Sequence, residues 1–402
     1  MDWYPVISCD SHIHEPRDLY EKHLPKHLRD RGPRVISLDE GDKIVMGDAL
    51  VRWVGLEVQE EFEKDQRSFK GSRYELGRRG KFAAEPRKAD LAHDGVQGEV
   101  VYGFSYWMEQ PDREVLLHMT RIYNDWVHEE LSDTADRSIA PAMLPSWDPE
   151  ASVAEAKRVR EKIGARAVQI AAPYVGDIKY GYASPEYDKL WAVLVDLGLP
   201  IGTHIGSGRS SPRYRGLGAT LHDFMANLID AQDIIRDFIA AGIFDRHPAL
   251  RLAATEGGIG WAPWYISAMD SMWEDNGAFF YPPLPERPSH YFARNCLITW
   301  QEDAPGIRCI DMIEDSVAWG SDYPHREGTF PNSRKKIEEQ VSTLPRDLQV
   351  KLCAENAARF FGFDLKLLAA KYGPGSEHER RYSQADGGSV TTEMVTPVKG
   401  QI

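Results

Sequence analysis

The sequence predicts an α/β protein built as one (β/α)8 TIM barrel, with an insertion after the first strand and a disordered C-terminal tail. Three observations lead there. Eight short apolar, β-branched runs are spread along the chain. Most of them are followed by a loop and then by a stretch with helical periodicity. The length, 402 residues, suits one large barrel with insertions as well as it suits two or three ordinary domains. Dense strand–helix alternation implies right-handed crossovers and a parallel sheet, and eight such strands suit a closed barrel better than an open sheet.

The first run is Val6–Asp10. Residues 33–82 then break the rhythm with charged and Gly-rich text and two short strand-like pieces, Lys43–Met46 and Leu50–Val54. This insertion is expected to cover the barrel mouth or an interface. The second run is Glu99–Gly103. A helix follows over Arg113–Glu130, with apolar residues recurring at Val115, Leu116, Met119, Ile122, Tyr123 and Trp126. The third run, Ile139–Leu144, leads into a helix at Pro149–Lys162. The fourth, Ala167–Ile170, leads into Pro185–Leu197, and the fifth, Pro200–His204, into His222–Ala241. The sixth is Arg251–Thr255, with a helix at Trp261–Trp273. Cys296–Thr299 and Val317–Gly320 complete the set. From Gly373 the text turns Gly- and Ser-rich with little apolar content, which predicts a disordered tail. The expected organisation is one domain over 1–372 and a tail over 373–402.

Composition excludes several functions. The net charge is −14, so a nucleic-acid partner, which asks for a basic surface, is not expected. No apolar run approaches the roughly 20 residues that span a bilayer. The first residues, MDWYPVISCD, lack the basic segment and apolar stretch of a signal peptide. Cys9, Cys296, Cys309 and Cys353 are far apart, which argues against a disulfide framework or a thiolate zinc site. The expectation is a soluble cytoplasmic enzyme acting on a small molecule.

The chemistry gathers at the predicted strand ends. The first strand runs into Asp10-Ser11-His12-Ile13-His14-Glu15-Pro16, and alternation places positions 10, 12 and 14 on one side. Two imidazoles two residues apart can hold one divalent metal, although read alone they also fit a surface turn. The fifth strand ends in His204 among glycines, the sixth in Glu256 before Gly257 and Gly258, and the eighth in Ser321-Asp322-Tyr323-Pro324-His325. In a barrel these C-terminal ends meet on one face. Imidazoles with a carboxylate suit Zn²⁺, Mn²⁺ or a similar ion, and a neighbouring carboxylate can take a proton from water. His325, Trp300 after the seventh strand and Tyr102 at the end of the second are candidates to touch substrate. Arg209, Arg213 and Arg215 fit either a site for a substrate carboxylate or a solvated loop. His247 precedes the sixth strand on the opposite face. It reads as structural, as do His93, His118 and His128 in helical text.

These motifs, in this order, resemble the amidohydrolase superfamily, in the branch that includes aminocarboxymuconate-semialdehyde decarboxylase and the benzoate-type decarboxylases. The resemblance covers about residues 5–365 and rests on DSHIHEP, GTHIG, HPALRLAATEGGIGW, GSDYPH and AENAARFFGF. It implies one divalent ion, Zn²⁺ ahead of Mn²⁺, held by His12, His14, His204 and Asp322, with Asp322 also able to shuttle protons. It also implies a homodimer. Two departures stand out. Glu256 occupies the sixth-strand position where many relatives carry a histidine. Relatives reading closest to DSHIHEP keep only the Asp and the first His, so Asp10 or Glu15 is an alternative to His14. No carbamylated-lysine site is evident at the fourth strand, which favours one metal over a bridged pair. With Glu256 and Asp322 as candidate catalytic groups, the expectation is a metal-dependent hydrolase. The alternatives are a non-oxidative decarboxylase of an aromatic or muconate-type acid, a hydratase, and a metal-binding protein without catalysis.

Overall fold

The computed structural model describes residues 3–47, 49–54, 70–103, 110, 112–208 and 216–382. The first strand, β1 (Ile7–His12), pairs in parallel with β5 (Gly98–Tyr102), and β5 with β6 (Ser138–Ile139). The second sheet runs β7 (Ala142–Met143), β8 (Val168–Gln169), β9 (Ile201–His204), β10 (Leu252–Thr255), β11 (Cys296–Trp300) and β12 (Val317–Trp319), all parallel. β6 and β7 are two halves of one barrel position. They are interrupted at Ala140 and Pro141, and proline has no N–H to give the ladder. The circle closes where Ser11 of β1 bridges Tyr323, just past β12. Eight strand positions thus form the predicted (β/α)8 barrel.

The strands read as apolar runs because both of their faces are covered. β1, β5, β10, β11 and β12 are buried along their whole length. Outward-facing Val168, Ile201, Leu252 and Ile298 pack with Leu190, Trp191, Leu194 and Phe238 of the surrounding helices. Cys9, Val100, Ala253, Leu297 and Ala318 cluster instead with Phe360, Phe361 and Leu368. These come from helices Asn356–Phe361 and Leu365–Tyr372, which close the end of the barrel where the strands begin. Chemistry is thereby left to the other end.

The insertion forms a three-stranded antiparallel sheet from β2 (Pro33–Leu38), β3 (Gly41–Met46) and β4 (Ala49–Trp53). The last two correspond to the strand-like pieces in the sequence. β2 was not anticipated; it ends in two exposed residues and has no apolar alternation to mark it. Asp42 ties the sheet down, accepting from Arg17, Arg73 and the Tyr74 N–H. The ordered chain also extends ten residues past the expected boundary at Tyr372. Glu377–Tyr382 is helical, the His378 ring sits edge-on to Tyr372 at 4.9 Å, and the Tyr382 hydroxyl donates to Glu85 at 2.7 Å. Residues 383–402, and Arg209, Arg213 and Arg215, lie outside the described residues. Among the described residues no helix is long and apolar enough to cross a membrane.

Candidate metal centre

Every residue of the centre sits at or just past the C-terminal end of a barrel strand. Asp10 and His12 come from β1, His204 ends β9, Glu256 follows β10, and Asp322 and His325 follow β12. Two of the carboxylates sit on a left-handed backbone, Glu256 at φ 67° and Asp322 at φ 56°. Non-glycine residues adopt this region at an energetic cost of about 1–3 kcal/mol and keep it only where the surroundings impose it. Here Thr299 Oγ1 accepts the Glu256 N–H at 2.8 Å, and the Asp10 carbonyl accepts the Asp322 N–H at 2.8 Å. Gly320 is required for the same approach, since a Cβ there would lie 2.5 Å from the Cβ of Asp10.

The side chains converge on His12 and His204. His12 Nε2 lies 3.3 Å from Asp10 Oδ1 and 3.3 Å from Asp322 Oδ1. His204 Nε2 lies 3.5 Å from Asp10 Oδ1 and 2.8 Å from Glu256 Oε2. His325 Nδ1 approaches Asp322 Oδ1 at 2.6 Å, and its ring stacks on His12 with centroids 4.0 Å apart. Asp10, His12, His204 and Glu256 each offer a ligand atom within 4.8 Å of the others, and so do His12, Asp322 and His325.

The charges respond to this crowding. Burial alone would raise the Asp10 and Asp322 pKa values, yet both end up lowered: Asp10 by His12 and His204, Asp322 by His325 and His12. Burial, followed by the Asp322 charge, keeps the Glu256 carboxyl above its ordinary value. Burial would lower the imidazoles. Glu256 and Asp10 instead lift His204 well above its usual range, and Asp322 lifts His325 to about 9.

The cluster fits a divalent cation. Asp10 Oδ1, His12 Nε2, His204 Nε2 and both Asp322 carboxylate oxygens are buried without a hydrogen-bond partner; the Asp10, His12 and His204 ligand atoms lie within 4.8 Å of one another, and Asp322 Oδ1 lies 3.3 Å from His12 Nε2. Buried polar atoms are normally satisfied, and two buried carboxylates beside a third, half-buried one demand positive charge. Unpaired ligand atoms this close together are what a metal ligand set looks like with hydrogen bonds alone to hold it.

The other sequence candidates fall around this centre. His14 is in neither ligand group. It is buried, its N–H donates to the Lys81 carbonyl at 2.8 Å, and its ring meets Phe82 edge-on at 5.8 Å. Burial, reinforced by Lys81, holds its pKa well below the usual value. Glu15 is also outside both groups. It accepts from the Tyr20 hydroxyl at 3.0 Å, and burial raises its pKa to about 8. Tyr102 places its ring 5.4 Å from that of His204 and shares a hydrogen bond of 2.9 Å with Thr255. Trp300 lines a cavity of about 650 Å³ that opens beside Asp10 and Glu256. Met225, Leu228, Ile229 and Trp261 also line it, and sequence reasoning missed them. The signal was present in the helix Ala219–Ala240. Leu221, Phe224, Met225 and Ile229 are apolar and exposed, in addition to the buried face of Ala226, Ile234, Ile235 and Phe238. A stripe that wide exceeds what one core contact needs.

Comparison with known proteins agrees with this fold. The gamma-resorcylate decarboxylase of Rhodococcus jostii is 26% identical over 273 residues, covering 63% of this chain and 79% of that protein. A solved amidohydrolase from Mycobacterium avium subsp. paratuberculosis superposes with a TM-score of 0.70 at 20% identity, covering 90% of this chain and 100% of that one. A dihydroxybenzoic acid decarboxylase from Polaromonas, solved with manganese and the inhibitor 2-nitroresorcinol, gives a TM-score of 0.58 at 15% identity, covering 92% of this chain and 99% of that one. A sequence model of the amidohydrolase family matches residues 9–363, nearly the whole barrel, and the chain therefore belongs to the amidohydrolase family.

Proposed function

We propose that this enzyme is a divalent-metal-dependent carboxy-lyase that removes CO₂ from a hydroxylated aromatic acid. What carries the reading is the orphaned Asp10, His12 and His204 atoms, grouped within 4.8 Å, with Asp322 joined to them through His12 at 3.3 Å and backed by His325 at 2.6 Å. These four residues are the proposed ligands, Asp10 taking the place first expected of His14. Two carboxylates with two imidazoles suit Mn²⁺ or Zn²⁺, and the manganese held by the Polaromonas decarboxylase puts Mn²⁺ first. When bound, the ion supplies positive charge that holds an anionic substrate and offsets charge developing in the transition state.

The chain's own residues do the rest. Trp300, Trp261, Met225 and Ile229 offer an apolar wall against which an aromatic ring packs while water is displaced. Decarboxylation breaks the bond between ring and carboxylate carbon, and the electron pair stays on the ring carbon until a proton arrives there. His325, whose Nδ1 lies 2.6 Å from Asp322 Oδ1, is the proposed source of that proton, and Asp322, held as the carboxylate, orients its ring. His204 is oriented through Nδ1, 2.9 Å from the Ile205 carbonyl, and Glu256, 2.8 Å from His204 Nε2, meets the substrate from the side of β10. A carboxylate at this place first suggested hydrolysis. The decarboxylases among the relatives support carbon–carbon cleavage instead. A homodimer belongs to the same proposal, and light scattering reads it directly.

The test is purified protein loaded with Mn²⁺ and offered hydroxybenzoates, 2,6-dihydroxybenzoate first, beside a panel of esters, lactones and amides. Release of CO₂ from a hydroxybenzoate, abolished in Asp322→Asn, is the expected result. Turnover confined to the ester, lactone or amide panel would return the enzyme to hydrolysis, with Glu256 as its base.

A further inference from the structure

The barrel closes between β1 and β12, and that seam carries most of the proposed ligands. Among the described joins of the barrel it has the fewest paired residues. β1 and β5 share a ladder of four residue pairs, whereas β1 meets the chain beyond β12 through the single bridge between Ser11 and Tyr323. Its main-chain bonds are few: the His12 N–H donates to the Tyr323 carbonyl at 2.6 Å and the Asp322 N–H to the Asp10 carbonyl. Asp322 is held there in the left-handed region. Something beyond the backbone must fix it.

A buried charged cluster lies directly behind the seam. Arg87, on the helix Ala84–Asp94, donates from Nη1 to the His12 carbonyl at 2.7 Å and to the Gly80 carbonyl at 3.1 Å. Its Nε and Nη2 grip both oxygens of Glu99 on β5, at 2.8 and 2.7 Å. The same guanidinium lies 4.8 Å over the Tyr323 ring. The Tyr323 hydroxyl donates to Asp90 Oδ2, one helical turn from Arg87, and Asp90 is gripped in turn by Arg78 at 2.9 and 2.7 Å. Arg87, Asp90, Glu99 and Tyr323 are each 1% exposed or less. Gly80 leaves the only room for this arrangement, because a Cβ there would collide with the Tyr323 hydroxyl and the Asp90 carboxylate.

We propose that Arg87, Asp90 and Tyr323 are positioning residues for the metal centre. They clamp the His12 carbonyl and the residue next to Asp322 to one helix, setting the distance between two ligands that come from opposite ends of the chain. The inference rests on the ligand reading given above. None of the three side chains is among the grouped ligand atoms, so they act through His12 and Asp322. Partners that orient ligands in this way typically cost about 10–100-fold in metal affinity when removed.

Tyr323→Phe is the cleanest probe, because it deletes one hydroxyl and keeps the ring beneath Arg87. Asp90→Asn keeps an acceptor for that hydroxyl and is a milder second variant. Tyr182→Phe is the control, since it removes a buried hydroxyl that donates to the Ala171 carbonyl across the barrel. Each full-length apoprotein is titrated calorimetrically with Mn²⁺, its melting temperature is recorded, and the visible band of the Co²⁺-loaded form is compared with wild type. Tyr323→Phe is expected to lose about 10–100-fold in Mn²⁺ affinity and to shift the Co²⁺ band, with a smaller loss in Asp90→Asn and none in Tyr182→Phe. If Tyr323→Phe and Asp90→Asn bind Mn²⁺ as tightly as wild type with an unshifted band, the clamp is a matter of folding alone and the proposal falls, whatever happens to melting. Wild-type protein that binds no Mn²⁺ would instead overturn the ligand reading itself.

Discussion

His204 lies within 3.5 Å of both Asp10 and Glu256. Replacing it with Ala removes one proposed ligand of four and leaves two carboxylates facing each other. His204→Ala is expected to bind about 100-fold less metal or worse, which elemental analysis after gel filtration reads directly. The first strand offers a sharper comparison. Asp10→Asn is expected to lose metal while His14→Ala keeps it, because His14 is in neither group of ligand atoms and its ring meets Phe82. The opposite ranking would restore the histidine pair. Glu256→Gln keeps the shape of the side chain and is expected to retain metal while raising KM for the hydroxybenzoate, since Glu256 meets the substrate; a loss of about 10²–10⁴-fold in kcat would instead mark it as a proton-transfer group. Residue types were legible here: Asp10, His12, His204, Glu256 and Asp322 all stood out in the sequence. The choice between Asp10 and His14 was not. Alternation puts both on one side of β1, and only the register of the seam, set by Gly320 and Tyr323, decides which one reaches the cluster.

Among the elements, the barrel strands were the most legible, since strands covered on both faces must be apolar throughout. The buried clamp was opaque. Arg87 and Asp90 lie in a helix whose text reads as charged and exposed, and nothing local reveals that both side chains are buried against β5 and Tyr323. The last helix, Glu377–Tyr382, was equally hidden, because six polar residues gain their order from Tyr372, Arg137 and Glu85 rather than from an apolar stripe. It yields a pH prediction. Arg137 Nη1 donates to His378 Nε2 at 3.1 Å, so the imidazole must be neutral to accept. Burial, followed by the Arg137 charge, lowers the His378 pKa from 6.5 to about 4. Between those values the unfolded chain binds more protons than the folded one. The contribution of this contact is therefore intact above pH 6.5 and is lost as pH falls towards 4. Thermal melts at pH 7.5 and pH 5 should show a larger acid-induced drop for wild type than for His378→Asn; equal drops would detach the helix from the effect. A chain ending at Tyr382 should melt like the full protein, whereas one ending at Tyr372 should lose about 1 kcal/mol.

For the whole molecule, two demands meet in one place. The chain carries a net charge of −14 and concentrates three carboxylates, two of them buried, at one barrel mouth. A divalent cation relieves that repulsion, so binding is also stabilisation: about 2.7 kcal/mol when free metal stands at 100 times its Kd. Chelator-treated protein is expected to melt several degrees lower and to recover on adding Mn²⁺; an unchanged melt would separate the centre from the stability of the fold. The length and the strand–helix rhythm were enough to place this architecture, because a barrel of eight strands leaves few other ways to cover them. The reaction was harder to read. A carboxylate at position 256 argues for water chemistry when taken alone, whereas the whole cluster, the aromatic cavity wall and the relatives together favour loss of CO₂. The central claim is that one ion is held by Asp10, His12, His204 and Asp322. Crystals grown with Mn²⁺ and measured at its absorption edge test it most directly. One anomalous peak per chain is expected, about 2.0–2.3 Å from donor atoms of those four residues. A peak bound by His14 in place of Asp10, a pair of peaks, or no peak at all would contradict it.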